Sequence, residues 1–248
     1  MKFKFGRNPR QFHKDTLVLH DYLPKLLPPV PAAVTWSTKV PNYPMYLNDT
    51  EGDCVWASGG HSVQTWTANA NGLFTPTDSD IQTGYESTGF IPGDPSTDNG
   101  TSITQMLAYW RDTGIAGHKI AGWAEFDPTN VNAVKYVIAN FGLAFIGCVV
   151  RQSDMDNFNA GQPWVPGTDA VLGGHGIVAV DYDANGATII TWGAKQAVTW
   201  DWFVAEVDEI YAPVTQDFID ANTSTSPSGL DMEQLQEDLQ LLPPAPQA

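Results

Sequence analysis

The hydrophobic pattern changes period once along the chain, and that change decides the fold class. Before residue 142 the apolar residues recur at helical spacing. Residues 54–71 carry Ala57, Val63, Gln64, Trp66 and Ala68 and stop at Asn71-Gly72. A second helix is expected from near Thr101, with Ile103, Met106, Leu107 and Trp110 on one face between Asn99-Gly100 and Gly114. A third spans Asn130–Asn140, with Val131, Val134, Val137 and Ile138 in line before Gly142. After that the spacing becomes strand-like: Ala144–Val150, Gly176–Tyr182 and Ala187–Trp192. The last two are joined through Asp183-Ala184-Asn185-Gly186, where Asn-Gly is a hairpin signal because both residues accept positive φ. Helices first and sheet afterwards predict an α+β protein with two segregated lobes. Residues 21–45 hold six prolines, which rules out a long helix or a central strand and predicts an extended arm wrapping the body.

Charge narrows the partners. The formal net charge of −16 would repel nucleic acid and anionic membranes, so neither is expected as a partner. No apolar run approaches the ~18 residues needed to span a bilayer. The start, Met1-Lys2-Phe3-Lys4-Phe5-Gly6, lacks the apolar stretch of a secretory signal. That arm is nevertheless basic, with Lys2, Lys4, Arg7, Arg10 and Lys14 against Asp15, and is expected to dock on the acidic body or on a protein partner. The two cysteines give no disulfide framework. A single Cys54–Cys148 bridge stays open, but Cys148 lies in an apolar strand and reads as a small buried hydrophobe.

Two segments carry chemistry. Gly52-Asp53-Cys54-Val55-Trp56-Ala57 places a thiol after a tight turn and at the start of a helix, where unpaired N–H groups and the helix dipole favour a thiolate. The same N–H groups suit an oxyanion. Gly173-Gly174-His175-Gly176 places an imidazole at the mouth of an apolar strand, with glycines that let another segment or a substrate approach. His13, His20, His61 and His118 lack such a setting and are expected at the surface or as caps. The acids Asp49, Glu51 and Asp53 read as a solvated loop that opposes thiol activation. Asp181–Gly186 starts like a calcium loop, but Trp192 stands where the bidentate Glu belongs. No metal and no cofactor is called for.

Together these segments resemble papain-like (C1-type) cysteine peptidases, in a divergent bacterial or phage-type form. Val34-Thr35-Trp36 resembles the Val-Asp-Trp that opens the mature enzymes. Gly52–Ala57 resembles Gly-Ser-Cys-Trp-Ala with one residue inserted. Gly174–Tyr182 resembles the histidine strand, and Thr191-Trp192-Gly193 falls where the family has Asn-Ser-Trp-Gly. The resemblance implies a two-lobe fold with a helical lobe (46–125), an antiparallel sheet or barrel lobe (126–212) and a cleft between them. It implies Cys54 as nucleophile, His175 as general base and acid, and Asn48 as oxyanion donor in place of the family's glutamine. The residue that orients the histidine, Asn in the family, is Ile190 here, leaving Thr191 as a weak substitute.

The expected organisation is therefore a basic, Pro-rich arm (1–33), a papain-like domain (34–220) and an acidic tail (221–248). Within the tail, Ser228-Gly229-Leu230-Asp231 opens a short helix bearing Met232, Leu235, Leu239 and Leu242. The function implied is a thiol hydrolase acting on an amide or peptide bond of a peptide or protein. The alternative is a catalytically impaired papain-fold component, for example of a phage particle, whose two tails bind a protein partner. Either fits a cytoplasmic or virion-associated protein.

Overall fold

The computed structural model describes residues 3–18, 30–219 and 225–228. The helix expected over 230–242 and His20 lie outside the described residues. The helices are α1 (Cys54–Ala70), α2 (Asp78–Glu86), α3 (Ile103–Asp112), α4 (Val131–Phe141), α5 (Gln152–Asn159) and α6 (Trp200–Glu206). The strands are β1 (Leu17–Val18), β2 (Val34–Thr35), β3 (Ile120–Glu125), β4 (Ala144–Arg151), β5 (Val171–Tyr182), β6 (Gly186–Thr191), β7 (Ala194–Thr199) and β8 (Val207–Thr215). They form one mixed, mostly antiparallel sheet in the order β1-β3-β8-β4-β5-β6-β7, with β2 pairing β5. The sheet is open between β1 and β7, so the barrel alternative for this lobe does not hold.

Both faces of the sheet are covered, and successive residues feed opposite cores, as the two-residue strand period requires. On β4 and β5, Ile146, Cys148, Ile177 and Ala179 join the core shared with α4 and α6. Phe145, Val178 and Val180 join the core shared with α1, α2 and α3. Burial on both faces explains why these strands read as apolar runs instead of alternating with polar residues. The core of the second face is rich in indoles whose N–H groups are satisfied: Trp56 donates to Thr101 Oγ1 at 3.0 Å and Trp66 to the Phe141 carbonyl at 2.8 Å.

Helix α1 is buried along nearly its whole length, although seven of its 17 residues are polar. The hydroxyls solve this by bonding back to carbonyls one turn earlier: Ser62 to Ser58, Thr65 to His61 and Thr67 to Val63, at 2.7–2.8 Å. His61 is part of the same solution and corrects the surface role expected for it. It is 2 % exposed, lies against the rings of Tyr43 and Tyr46, and bonds the Pro44 carbonyl through Nε2 at 2.8 Å. Burial pushes its pKa down to about 4.

The β5–β6 hairpin is present, but neither Asn185 nor Gly186 takes positive φ. The Asp183 carboxylate ties the turn instead, accepting from the Asn185 N–H at 2.6 Å and the Gly186 N–H at 3.2 Å. Gly186 is required for a different reason: a Cβ there would lie 1.8 Å from the Val198 carbonyl oxygen.

Candidate active site

Cys54 is the first residue of α1 and is 1 % exposed. Its sulfur is met by β5: the Gly176 N–H donates to Sγ at 3.4 Å, and Ser58 Oγ, one turn along the helix, donates to the Gly176 carbonyl at 2.9 Å. Helix and strand come this close because position 176 has no side chain. A Cβ there would sit 2.7 Å from Val55 Cγ2. The residue before it is His175, so the two sequence segments separated by more than a hundred residues meet at one point.

His175 lies inside β5 and not at its mouth, because the strand begins at Val171. The imidazole is 1 % exposed and stacks on Trp192 with ring centres 4.5 Å apart. Nε2 bonds Thr191 Oγ1 at 2.8 Å, and Nδ1 has no partner. Ile190, at the position where the resembled family has its orienting Asn, is buried in the core of the α1 face. Thr191 and Trp192 follow it at the end of β6, where Trp192 is held at φ 46° and Gly193 at φ 71°. A left-handed tryptophan is costly backbone, and such residues cluster at functional sites. Two more, Tyr46 and Leu47, immediately precede Asn48.

Asn48 is 2 % exposed and its amide donates to the Glu51 carbonyl at 3.2 Å. Asp53 is not part of a solvated loop, as the acidic run suggested: it is fully buried, and neither carboxylate oxygen has a partner at hydrogen-bonding geometry. Burial, then the nearby Glu51 carboxylate, holds its pKa well above the ordinary range; the nearby Asn48 amide opposes this only in part. Burial likewise pushes the Cys54 thiol up to about 11, against the Gly176 N–H that favours the thiolate. It pushes His175 down to about 3, helped by the Arg7 guanidinium. In this arrangement both groups are neutral.

Part of that burial comes from the basic arm, which sequence reasoning expected to dock but could not place. Residues 3–8 lie across the site. The Lys4 N–H donates to the Asn48 carbonyl at 3.1 Å, and the Arg7 N–H to the Gly174 carbonyl at 3.2 Å. The Gly6 carbonyl accepts from Thr101 N–H at 2.7 Å. Phe3 packs on Trp192 and Phe158, and Phe5 stands edge-on to His175 and Trp192. The glycines at 173 and 174 admit a close segment, as their sequence setting suggested. A Cβ at Gly173 would meet Phe5 at 2.8 Å, and one at Gly174 the Arg7 carbonyl at 2.8 Å. The two cysteines are free. Among the described residues no helix is long and apolar enough to cross a membrane.

Solved structures place this fold among papain-like cysteine proteases. Xylellain, a cysteine protease from Xylella fastidiosa, superposes with a TM-score of 0.67 at 14% identity, over 86% of this chain and 97% of that one. Procathepsin B S9 from Trypanosoma congolense gives 0.58 at 10% identity, over 86% and 87%. The bromelain protease from Ananas comosus gives 0.54 at 12% identity, over 75% and 100%. No family model and no curated protein matches the sequence. The chain therefore has the papain-like fold.

Proposed function

We propose that the protein is a papain-like thiol hydrolase that cleaves an amide or peptide bond, with Cys54 as nucleophile and His175 as its base and then its acid. The observation that carries this reading is the junction of α1 and β5. It sets the Cys54 sulfur against the strand residue next to His175, and Thr191 holds Nε2 so that Nδ1 is the free ring nitrogen. With Nε2 carrying the hydrogen and Thr191 Oγ1 accepting it, Nδ1 takes the thiol proton. Sulfur then attacks the carbonyl carbon, and the imidazolium returns the proton to the leaving amine. Water releases the acyl group by the reverse relay. The Cys54 backbone N–H, at the start of the helix, is the natural oxyanion donor, joined by Asn48 once its amide turns from Glu51.

The neutral thiol and imidazole favour a second reading, a papain-fold binding or structural component. Both pKa shifts arise first from burial, to which the seated arm contributes, so they describe the site with the arm in place. The test is hydrolysis of fluorogenic peptides and labelled casein by the wild type and by Cys54→Ser and His175→Ala, each also carrying Gly6→Ala to unseat the arm. Turnover that both site variants abolish supports the hydrolase. Absence of turnover with the arm unseated, or turnover indifferent to Cys54→Ser, sinks it in favour of the structural component.

A further inference from the structure

We propose that Asp53 is a positioning residue of the oxyanion site: as a neutral acid it frees the Asn48 amide for the substrate oxygen, and as a carboxylate it keeps that amide for itself. This role rests on the hydrolase reading and adds the group that regulates its oxyanion donor.

Asp53 is the N-cap of α1, one residue before the thiol, yet its side chain does not cap the helix. Elsewhere in the fold such residues do. Thr77, Ser102, Asn130 and Thr199 each accept from an N–H of the helix they begin. At Asp53 the backbone carbonyl caps instead, accepting from the Trp56 and Ala57 N–H groups at 2.7 and 2.9 Å. The carboxyl is left sealed in the protein, 0 % exposed, with neither oxygen bonded. An unpaired charge in such a place is costly, so the fold favours the proton.

The carboxylates that face Asp53 reinforce this. Glu51 accepts from Gln82 Nε2 at 2.9 Å through one oxygen and leaves the other unbonded. Asp98 accepts from Tyr85 Oη at 2.6 Å and from the Gly52 N–H at 2.8 Å, and it holds Lys4 at 3.1 Å. Burial, and then repulsion from these acids, keeps the Asp53 pKa raised. The Asn48 amide is the side chain whose proximity favours the carboxylate. It donates to the Glu51 carbonyl at 3.2 Å from a loop fixed by two left-handed residues, Tyr46 and Leu47. An ionised Asp53 would hold that amide by a charge-assisted bond, and a neutral one releases it. Ionised, it also disfavours the Cys54 thiolate beside it. Turnover is therefore highest with Asp53 protonated and falls as pH rises through its ionisation.

Peptide hydrolysis against pH tests this in the Gly6→Ala protein, whose added Cβ would lie 1.6 Å from the Gly52 carbonyl oxygen and so unseats the arm. The same protein is also assayed with Asp53→Asn, Asn48→Ala or both, each checked for its thermal midpoint. In the parent, kcat should fall about tenfold per pH unit above the ionisation of Asp53. Asp53→Asn should remove that limb with KM little changed. Asn48→Ala should cost about a hundredfold in kcat and shrink the gain from Asp53→Asn by about tenfold. A limb that survives Asp53→Asn, or an equal gain with and without Asn48, would overturn the proposal. Infrared spectra of wild type minus Asp53→Asn read the proton without turnover. A protonated-carboxyl band is expected at pH ~6, where an ordinary Asp is ionised, and its absence refutes the role even in an active enzyme. With the band present and no hydrolysis by any of the four proteins, the hydrolase reading fails and this role falls with it.

Discussion

Replacing Thr191 by valine isolates what holds the imidazole in place of the missing Asn. Valine keeps the volume and branching of threonine and removes only the hydroxyl. In the native site Nε2 has one partner, Thr191 Oγ1 at 2.8 Å, and Nδ1 has none. Both residues are 1 % exposed, so water cannot replace the lost contact while the arm is seated. The substitution leaves a buried ring nitrogen unsatisfied, which costs about 1–3 kcal/mol. For a chain of this size each kcal/mol moves the thermal midpoint by about 2–4 °C, so a fall of about 2–12 °C is expected. Scanning calorimetry measures it, with Thr191→Ser as the rescue that restores the hydroxyl. If the hydrolase reading holds, kcat should also fall, by about 10- to 100-fold, or about 1.4–2.7 kcal/mol of transition-state stabilisation. KM should change little, because orientation of the base is felt in the chemical step. A valine variant with an unchanged midpoint and unchanged kcat would refute the assignment of Thr191 as the orienting group.

Other consequences follow from burial. Asp53 has a carboxyl pKa raised in the fold, so the folded protein binds the extra proton and stability falls as pH climbs above the ordinary carboxylate range. Asp53→Asn should flatten that fall and be the more stable protein at pH ~8; parallel melting curves from pH ~4 to ~8 would count against it. His61 and His175 are depressed to about 4 and about 3, so unfolding takes up protons and stability is lost as pH drops below the ordinary histidine value. His61→Gln, which keeps a donor for the Pro44 carbonyl, should reduce that acid-side loss in a midpoint titration. Gly176→Ala drives a methyl into Val55 and should cost about 1–3 kcal/mol, read by denaturant titration; a neutral result would mean α1 and β5 are less tightly apposed than their contact distances indicate.

What the sequence disclosed depended on whether the deciding contacts were local. Helices α1, α3 and α4 were legible because their apolar stripes and stops lie within a few residues. Helix α2 was missed because only Ile81, Gly84 and Tyr85 are buried on it, although the reciprocal capping by Thr77 and Asp80 was available as a signal. Strand β8 was hidden by Asp208, Glu209 and Pro213, residues that argue against a strand between two others. The partner that neutralises Glu209, Arg7, comes from the far end of the sequence. At the site, Cys54, His175, Asn48 and Thr191 were named from two short segments and a family resemblance, and the structure gathers those segments at the start of α1. The burial of Asp53 and His61 was not legible, since it is produced by segments distant in sequence. The arm's basic charge announced that it would find acidic partners, but charge alone carries no address.

Strand β5 gives these parts a common ruler. At consecutive positions it receives the arm at Gly173 and Gly174, carries the imidazole at His175 and touches the thiol through Gly176. A slip of one residue against β4 would turn all of these to the opposite face together. Arm contact, imidazole and thiol contact are therefore inherited as a unit. Damage to that pairing should therefore separate the arm, the imidazole and the thiol in a single step.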